Sequence, residues 1–208
     1  MINTSITSTD LKKYIETQIF HLMPDGIFTN GMIKDDDIQI ALNKCENCFK
    51  HIINGAYSDE NGNTFFSHLH ADQYAMFLEF LANYIWKERE EKIVCDHLMY
   101  LNRILHGFMM SYKCHLPDIW WLGHPVGAVI GNAEYSDYLY ISQNSTINTG
   151  PLAEDGSCTP KIGKYFSMGA GAMLYNTALE DNSIVINNCG TMEIRKSKKI
   201  SMAQKLFR

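Results

Sequence analysis

The sequence predicts an α+β chain in which an N-terminal helical domain is followed by a parallel β-helix of hexapeptide repeats. From Ile162 onward an apolar residue of inward size returns about every sixth position: Ile162, Met168, Leu174, then after a five-residue step Leu179, Val185 and Thr191. A helix repeats every 3.6 residues and a half-buried strand alternates, so neither explains that series. A six-residue period suits a coil in which each short strand sends one side chain inward and each corner takes small or polar residues. The corners fit, because Gly163, Gly169, Gly171, Asn176, Asp181-Asn182 and Asn187-Asn188 all tolerate tight or left-handed turns. A weaker stretch of the same register runs through Ile130-Gly131, Ile141 and Ile147. Upstream, apolar stripes at helical spacing continue as far as Phe108.

Each helix has its own signals. Tyr14, Ile15, Ile19 and Leu22 predict an opening helix that stops before Pro24. Asp35-Asp36-Asp37 put negative charge at a helix start, followed by Ala41, Cys45, Cys48, Phe49 and Ile52 on one face, with Gly55 as the stop. The segment 58–63 is a polar turn. Tyr74, Phe77, Leu78, Leu81, Tyr84 and Ile85 form the next stripe, and Val94, Leu98, Leu101, Ile104, Leu105 and Phe108 the last. Pro117 closes the helical region. The expected organisation is therefore a helical domain over 1–116, the β-helix over 117–193 and a basic tail over 194–208. Within the β-helix, residues 148–161 are too long for a corner and are expected to form a functional excursion.

At 208 residues the chain can build real cores, and 46% apolar with 20% charged residues is the composition of a soluble globular protein. The start, Met1-Ile2-Asn3-Thr4-Ser5, lacks a basic-then-apolar leader, so export is not expected. The six cysteines then read as reduced cytoplasmic thiols. A net charge of −5 argues against nucleic acid as a partner. The charge is uneven: residues 195–208 hold six bases and no acid, and the rest of the chain keeps 12 bases against 23 acids. Such a tail docks on an acidic surface of its own or a neighbouring chain, or meets an anionic membrane surface or charged saccharide.

Of the eight histidines, His97 and His106 lie on helix stripes and read as structural. His68, His70 and Asp72 suggest metal ligands by type, but i, i+2 spacing at a helix entry points the rings apart, so no metal site is expected. Cys45-x-x-Cys48 lies within a helix stripe without a second pair, which favours core packing over redox chemistry. His124 differs. It follows Trp120-Trp121-Leu122-Gly123 at the mouth of the first coil, beside glycines that let a ligand approach. It is either a corner residue bonding the backbone or a base, since imidazole can take a proton from a hydroxyl near pH 7.

His124-Pro125-Val126-Gly127-Ala128-Val129-Ile130-Gly131, Tyr135-Ser136-Asp137-Tyr138, Gln143-Asn144, Pro160-Lys161-Ile162-Gly163 and Gly169-Ala170-Gly171-Ala172 together resemble the serine acetyltransferase branch of the hexapeptide-repeat acyltransferases. Leu101-Asn102-Arg103-Ile104-Leu105-His106-Gly107, leading to Leu116-Pro117-Asp118-Ile119, is similar too. The resemblance covers roughly residues 70–192. It implies a left-handed β-helix assembled as a homotrimer or dimer of trimers, and acetyl transfer from acetyl-CoA to a hydroxyl. It further implies His124 as general base and Asp118 as the nearest acid to orient it. Pantetheine would follow the small residues Gly169, Ala170, Gly171 and Ala172. No metal is implied.

The sequence departs from that family where the acceptor binds. An Asp precedes the catalytic histidine in serine acetyltransferases, whereas Gly123 stands here, and Cys158-Thr159 replace an Arg-His pair that grips the serine carboxylate. The expected acceptor is therefore a saccharide hydroxyl, as in family members that serve capsule or lipopolysaccharide assembly, with Gln143, Asn144 and Thr159 as acceptor-binding residues. Serine O-acetylation is the alternative, and a catalytically silent β-helix scaffold is the second.

Overall fold

A computed structural model describes residues 2–148, 160–188, 190–196 and 201–208. The helical half opens with a short parallel pairing of β1 (Asn3–Thr4) and β2 (Phe65–Phe66). Thr7 caps α1 (Ser8–Leu22) by accepting the Asp10 amide, and Leu11, Ile15 and Ile19 form its buried face. Helix α2 (Asp35–Phe49) starts at the acidic triplet and buries Ile38, Ala41, Leu42, Cys45, Cys48 and Phe49. Helix α3 (Ala71–Arg89) is buried nearly all round and forms the axis of this half, with α4 (Lys92–His106) against it. Arg89 closes the end of α3 on buried Asp37 through two bonds of 2.7 and 2.9 Å. One residue of α3 fits badly: Glu79 is fully buried, its Oε1 has no partner, and burial pushes its carboxyl up to about 8.

Gly107 ends α4 with φ +61° and hands the chain to the coils. The strands are β3 (Met109–Met110), β4 (Trp120–Gly123), β5 (Val129–Ile130), β6 (Glu134–Tyr135), β7 (Leu139–Ser142), β8 (Thr146–Asn148), β9 (Lys161–Ile162), β10 (Ser167–Met168), β11 (Met173–Tyr175) and β12 (Ser183–Asn188). They fall into three parallel sheets: β3-β5-β8-β11, β4-β7-β10-β12 and β6-β9. Bridges His115↔Glu134 and Ile162↔Leu179 extend the third. The chain visits the three in turn, which makes a three-faced parallel β-helix. The six-residue period is now explained by stacking in register. Met110, Ile130, Ile147 and Leu174 form one interior column. Leu122, Ile141, Met168 and Val185 form the second. Tyr135, Ile162 and Leu179 form the third.

The observed coils begin earlier and end differently than the sequence suggests. Met109-Met110, read as part of the helical half, pair with Val129-Ile130 as the first coil strand. Thr191, read as the next inward residue, is exposed. It opens β13 (Thr191–Lys196), which turns back antiparallel on β12 and closes that sheet's open edge. The opposite edge, β4, is closed by α2: Cys48 Sγ donates to Trp120 O at 3.0 Å and accepts the Trp120 N–H at 3.4 Å. Core packing of Cys45 and Cys48 is thereby seen, with burial raising both thiols, Cys48 to about 12.

The chain ends on its own surface. Helix α5 (Met202–Leu206) brings Phe207 and Arg208 to the loop after α2, where the Ile53 amide donates to Leu206 O at 2.8 Å and the Arg208 amide to His51 O at 2.6 Å. Phe207 packs on Tyr138, which stacks on Tyr165 with centroids 4.4 Å apart. Both tyrosines have positive φ, +65° and +56°, at a coil corner. This mutual stacking offsets a strained conformation for such bulky residues. Of the tail's bases, Arg195 pairs with Glu193 and Lys196 with Glu180. Lys198 and Lys199 lie outside the described residues.

Candidate active site

Strand β4 ends at Gly123, and the turn after it lifts His124 out of the coil. Its φ of +55° is left-handed, which costs a non-glycine residue about 1–2 kcal/mol. Its side chain is 86% exposed. Asp72, in the first turn of α3, holds this corner: Oδ2 accepts the His124 backbone N–H at 3.2 Å and lies 3.8 Å from Nδ1. The Asp72 side chain is itself only 9% exposed. A helix N-terminus suits a carboxylate, so the acid is fixed by α3 and the base by the coil.

Asp118, the orienting acid expected from the sequence, is not the one that meets His124. It stands at the other end of β4, and that strand's four residues alone measure roughly 13 Å. Its amide donates to Asp137 Oδ1 at 3.0 Å, and with Lys87, His115, Asp137 and Lys164 it lines a separate cavity of about 370 Å³. The reason is strand geometry. Residues six apart across an extended strand cannot share a corner, whereas a helix 52 positions upstream can pack onto it.

Gly123 leaves room for its neighbour. A Cβ there would overlap Tyr140 Oη and come within 3.0 Å of Tyr140 Cε2 and Cζ. Tyr140, paired with Trp121 in the β4–β7 register, thus lays its phenol over the residue before the base. Gln143 and Asn144 follow Ser142, the partner of Gly123, so they stand one coil above His124. Gln143 is half-buried, and its carbonyl accepts the Gly171 amide at 3.0 Å. Asn144 is exposed, at φ +53°, with Oδ1 filling the place a Gly127 side chain would take. Thr159, the third expected acceptor residue, lies outside the described residues together with most of 148–161.

Among the expected cofactor residues, Gly169, Ala170 and Gly171 form the next corner of the same edge. Ala170 is exposed and Gly171 sits at φ +67°. Ala172 differs, because it is 1% exposed and fills the coil interior, where no ligand reaches it. A strip of Gly169–Gly171 could take a pantetheine chain.

The other histidines and acids go elsewhere. His97 bonds Ile93 O at 2.7 Å and Asp25 at 3.1 Å. His106 bonds Asn102 Oδ1 at 2.7 Å, and burial lowers it to about 4. His68 pairs with Ser5, and the His70 ring faces the Gln73 amide, so neither converges with Asp72. Among the described residues no group of three metal-ligating side chains occurs. No helix among them is long and apolar enough to cross a membrane.

No protein-family model and no curated protein matches the chain. Solved structures do. Serine acetyltransferase isoform 3 from Entamoeba histolytica, in complex with cysteine, is 16% identical at TM-score 0.56, over 85% of this chain and 63% of that one. A serine O-acetyltransferase from Brucella melitensis, titled as a bacterial transferase hexapeptide repeat, gives 15% identity and TM-score 0.62, over 94% and 84%. A serine acetyltransferase in complex with CoA gives 12% and 0.56, over 90% and 84%. This chain thus spans less than two thirds of the E. histolytica protein's length. At these identities the likeness shows a shared fold.

Proposed function

We propose that this chain is an acetyl-CoA-dependent O-acetyltransferase in which His124 takes the proton from the acceptor hydroxyl. The observation that carries the proposal is an exposed imidazole, on a corner whose backbone a carboxylate holds, at the edge of a strip of small residues. The hydroxyl oxygen bonds the acetyl carbonyl carbon as its proton passes to the imidazole; the thioester C–S bond then breaks, and the imidazolium returns the proton to the departing CoA sulfur. Asp72 holds the corner that carries the ring, and its carboxylate, 3.8 Å from Nδ1, stands beside the positive charge that forms there. Likeness to a structure solved with CoA supports the donor.

Two acceptors have support of different kinds. The names of the structural neighbours favour L-serine, and more directly than they favour the saccharide expected from the sequence. The phenol of Tyr140 over Gly123, the residue before the base, favours a saccharide hydroxyl. Exposed Val129, Met173 and Tyr175 on one coil face support self-association, as the resemblance implies. The decisive assay is thiol release from acetyl-CoA by the purified chain, with L-serine and with neutral hexoses and N-acetylhexosamines. Turnover on at least one is expected. Acetyl-CoA binding without turnover on any would favour the silent scaffold.

A further inference from the structure

The strand before His124 and its neighbour in the next coil carry an aromatic cluster, with Asp72 the charge nearest the base. Trp121 and Tyr140 pack at a tilt of 59° with ring centroids 5.2 Å apart, and Tyr57 meets Trp121 edge-on at 6.0 Å. Tyr57 Oη and Trp121 Nε1 are both buried. Burial, with the Asp72 charge nearby, pushes the Tyr57 phenol well up, against a slight lowering by the Trp121 side chain close to it, so it stays neutral. Tyr140 is only half-buried, and its Oη makes no hydrogen bond to any described residue. An unpartnered hydroxyl that can still reach solvent, directly over the residue before the base, is free to meet a ligand. Gly123 is what makes room for it.

We propose that Tyr140 determines acceptor specificity: its hydroxyl pairs with a hydroxyl of a neutral, polyhydroxylated acceptor, and its ring offers that acceptor a flat apolar face. This rests on the transferase reading above and takes its saccharide branch. An amino acid brings a carboxylate and an ammonium, and burying either against neutral dipoles is unfavourable. Asp72, the charge nearest the base, is already engaged with the His124 amide. A sugar ring needs only hydrogen bonds and an apolar surface, and a site built to bond a substrate hydroxyl discriminates strongly by that bond.

Tyr140→Phe keeps the ring and deletes Oη. It should lower kcat/KM for neutral hexoses or N-acetylhexosamines by roughly 2- to 12-fold, equivalent to one neutral hydrogen bond. The value for L-serine, the acetyl-CoA affinity and the melting temperature should stay unchanged. Equal losses on sugar and serine, a loss on serine alone, no loss at all, or a parent that binds acetyl-CoA yet turns over none of the sugars would overturn the assignment. A parent that does not bind acetyl-CoA would instead overturn the transferase reading itself.

Discussion

Replacing Asp72 by alanine should release His124 while leaving the coils intact. The corner is held by the 3.2 Å bond from the His124 amide to Asp72 Oδ2. A hydrogen bond to a charged acceptor contributes about 1.5–3 kcal/mol. The left-handed backbone at φ +55° opposes it with about 1–2 kcal/mol. The two terms are comparable, so removing the bond lets the corner relax and the imidazole lose its fixed position. Losing about 1.4–2.8 kcal/mol of transition-state positioning lowers kcat roughly 10- to 100-fold. Asp72→Asn keeps an amide oxygen to accept the same N–H but loses the charge 3.8 Å from Nδ1, so its loss should be smaller. Steady-state thiol release at saturating acetyl-CoA, compared across the three proteins, measures this, with donor affinity and melting temperature as controls. An Asp72→Ala protein with parental kcat would refute the positioning role.

Further outcomes follow from other parts of the molecule. Glu79 has a carboxyl raised from 4.5 to about 8 in the fold, so it is neutral there and ionises on unfolding between those values. Stability from this group is therefore greatest below pH 4.5 and falls as pH rises to 8. Glu79→Gln should be more stable than the parent at pH 8 by up to about 5 kcal/mol, with the gap closing by pH 4, and denaturation curves with a constant gap at all pH values would contradict this. Ala170 is exposed on the small-residue strip, so Ala170→Phe should weaken CoA binding at least tenfold without lowering the melting temperature; unchanged affinity by calorimetry would move the donor elsewhere. Gly171 is a poorer probe, since valine at φ +67° would be strained regardless of any ligand. Light scattering at micromolar concentration should give an oligomer, and a sharp monomer would remove the proposed role of the exposed coil face.

The coils were legible because one inward residue per strand repeats in sequence and stacks in space, as Ile141, Met168 and Val185 do. The period failed at Thr191, where an antiparallel hairpin replaces a further coil, and a lone polar residue cannot announce that change. The first coil strand was missed because Met109-Met110 offers only two residues beside a helical stripe. His124 drew attention by its glycine-rich setting, and the structure places it exposed at a coil corner. Asp72 was visible only as a neighbour of His68 and His70, and its meeting with His124 depends on how α3 packs against β4. Tyr140 gave one readable trace, the glycine at 123, but the phenol that explains it comes from the next coil.

The most direct test of the account removes the base itself. His124→Ala, with His124→Asn as a control because asparagine tolerates left-handed φ, should lower kcat by about 10²–10⁴-fold at unchanged acetyl-CoA affinity, as expected for a positioned general base. Either variant keeping more than about a third of parental turnover, on whichever hydroxyl acceptor the parent uses, would contradict the assignment of His124 and with it the proposed mechanism.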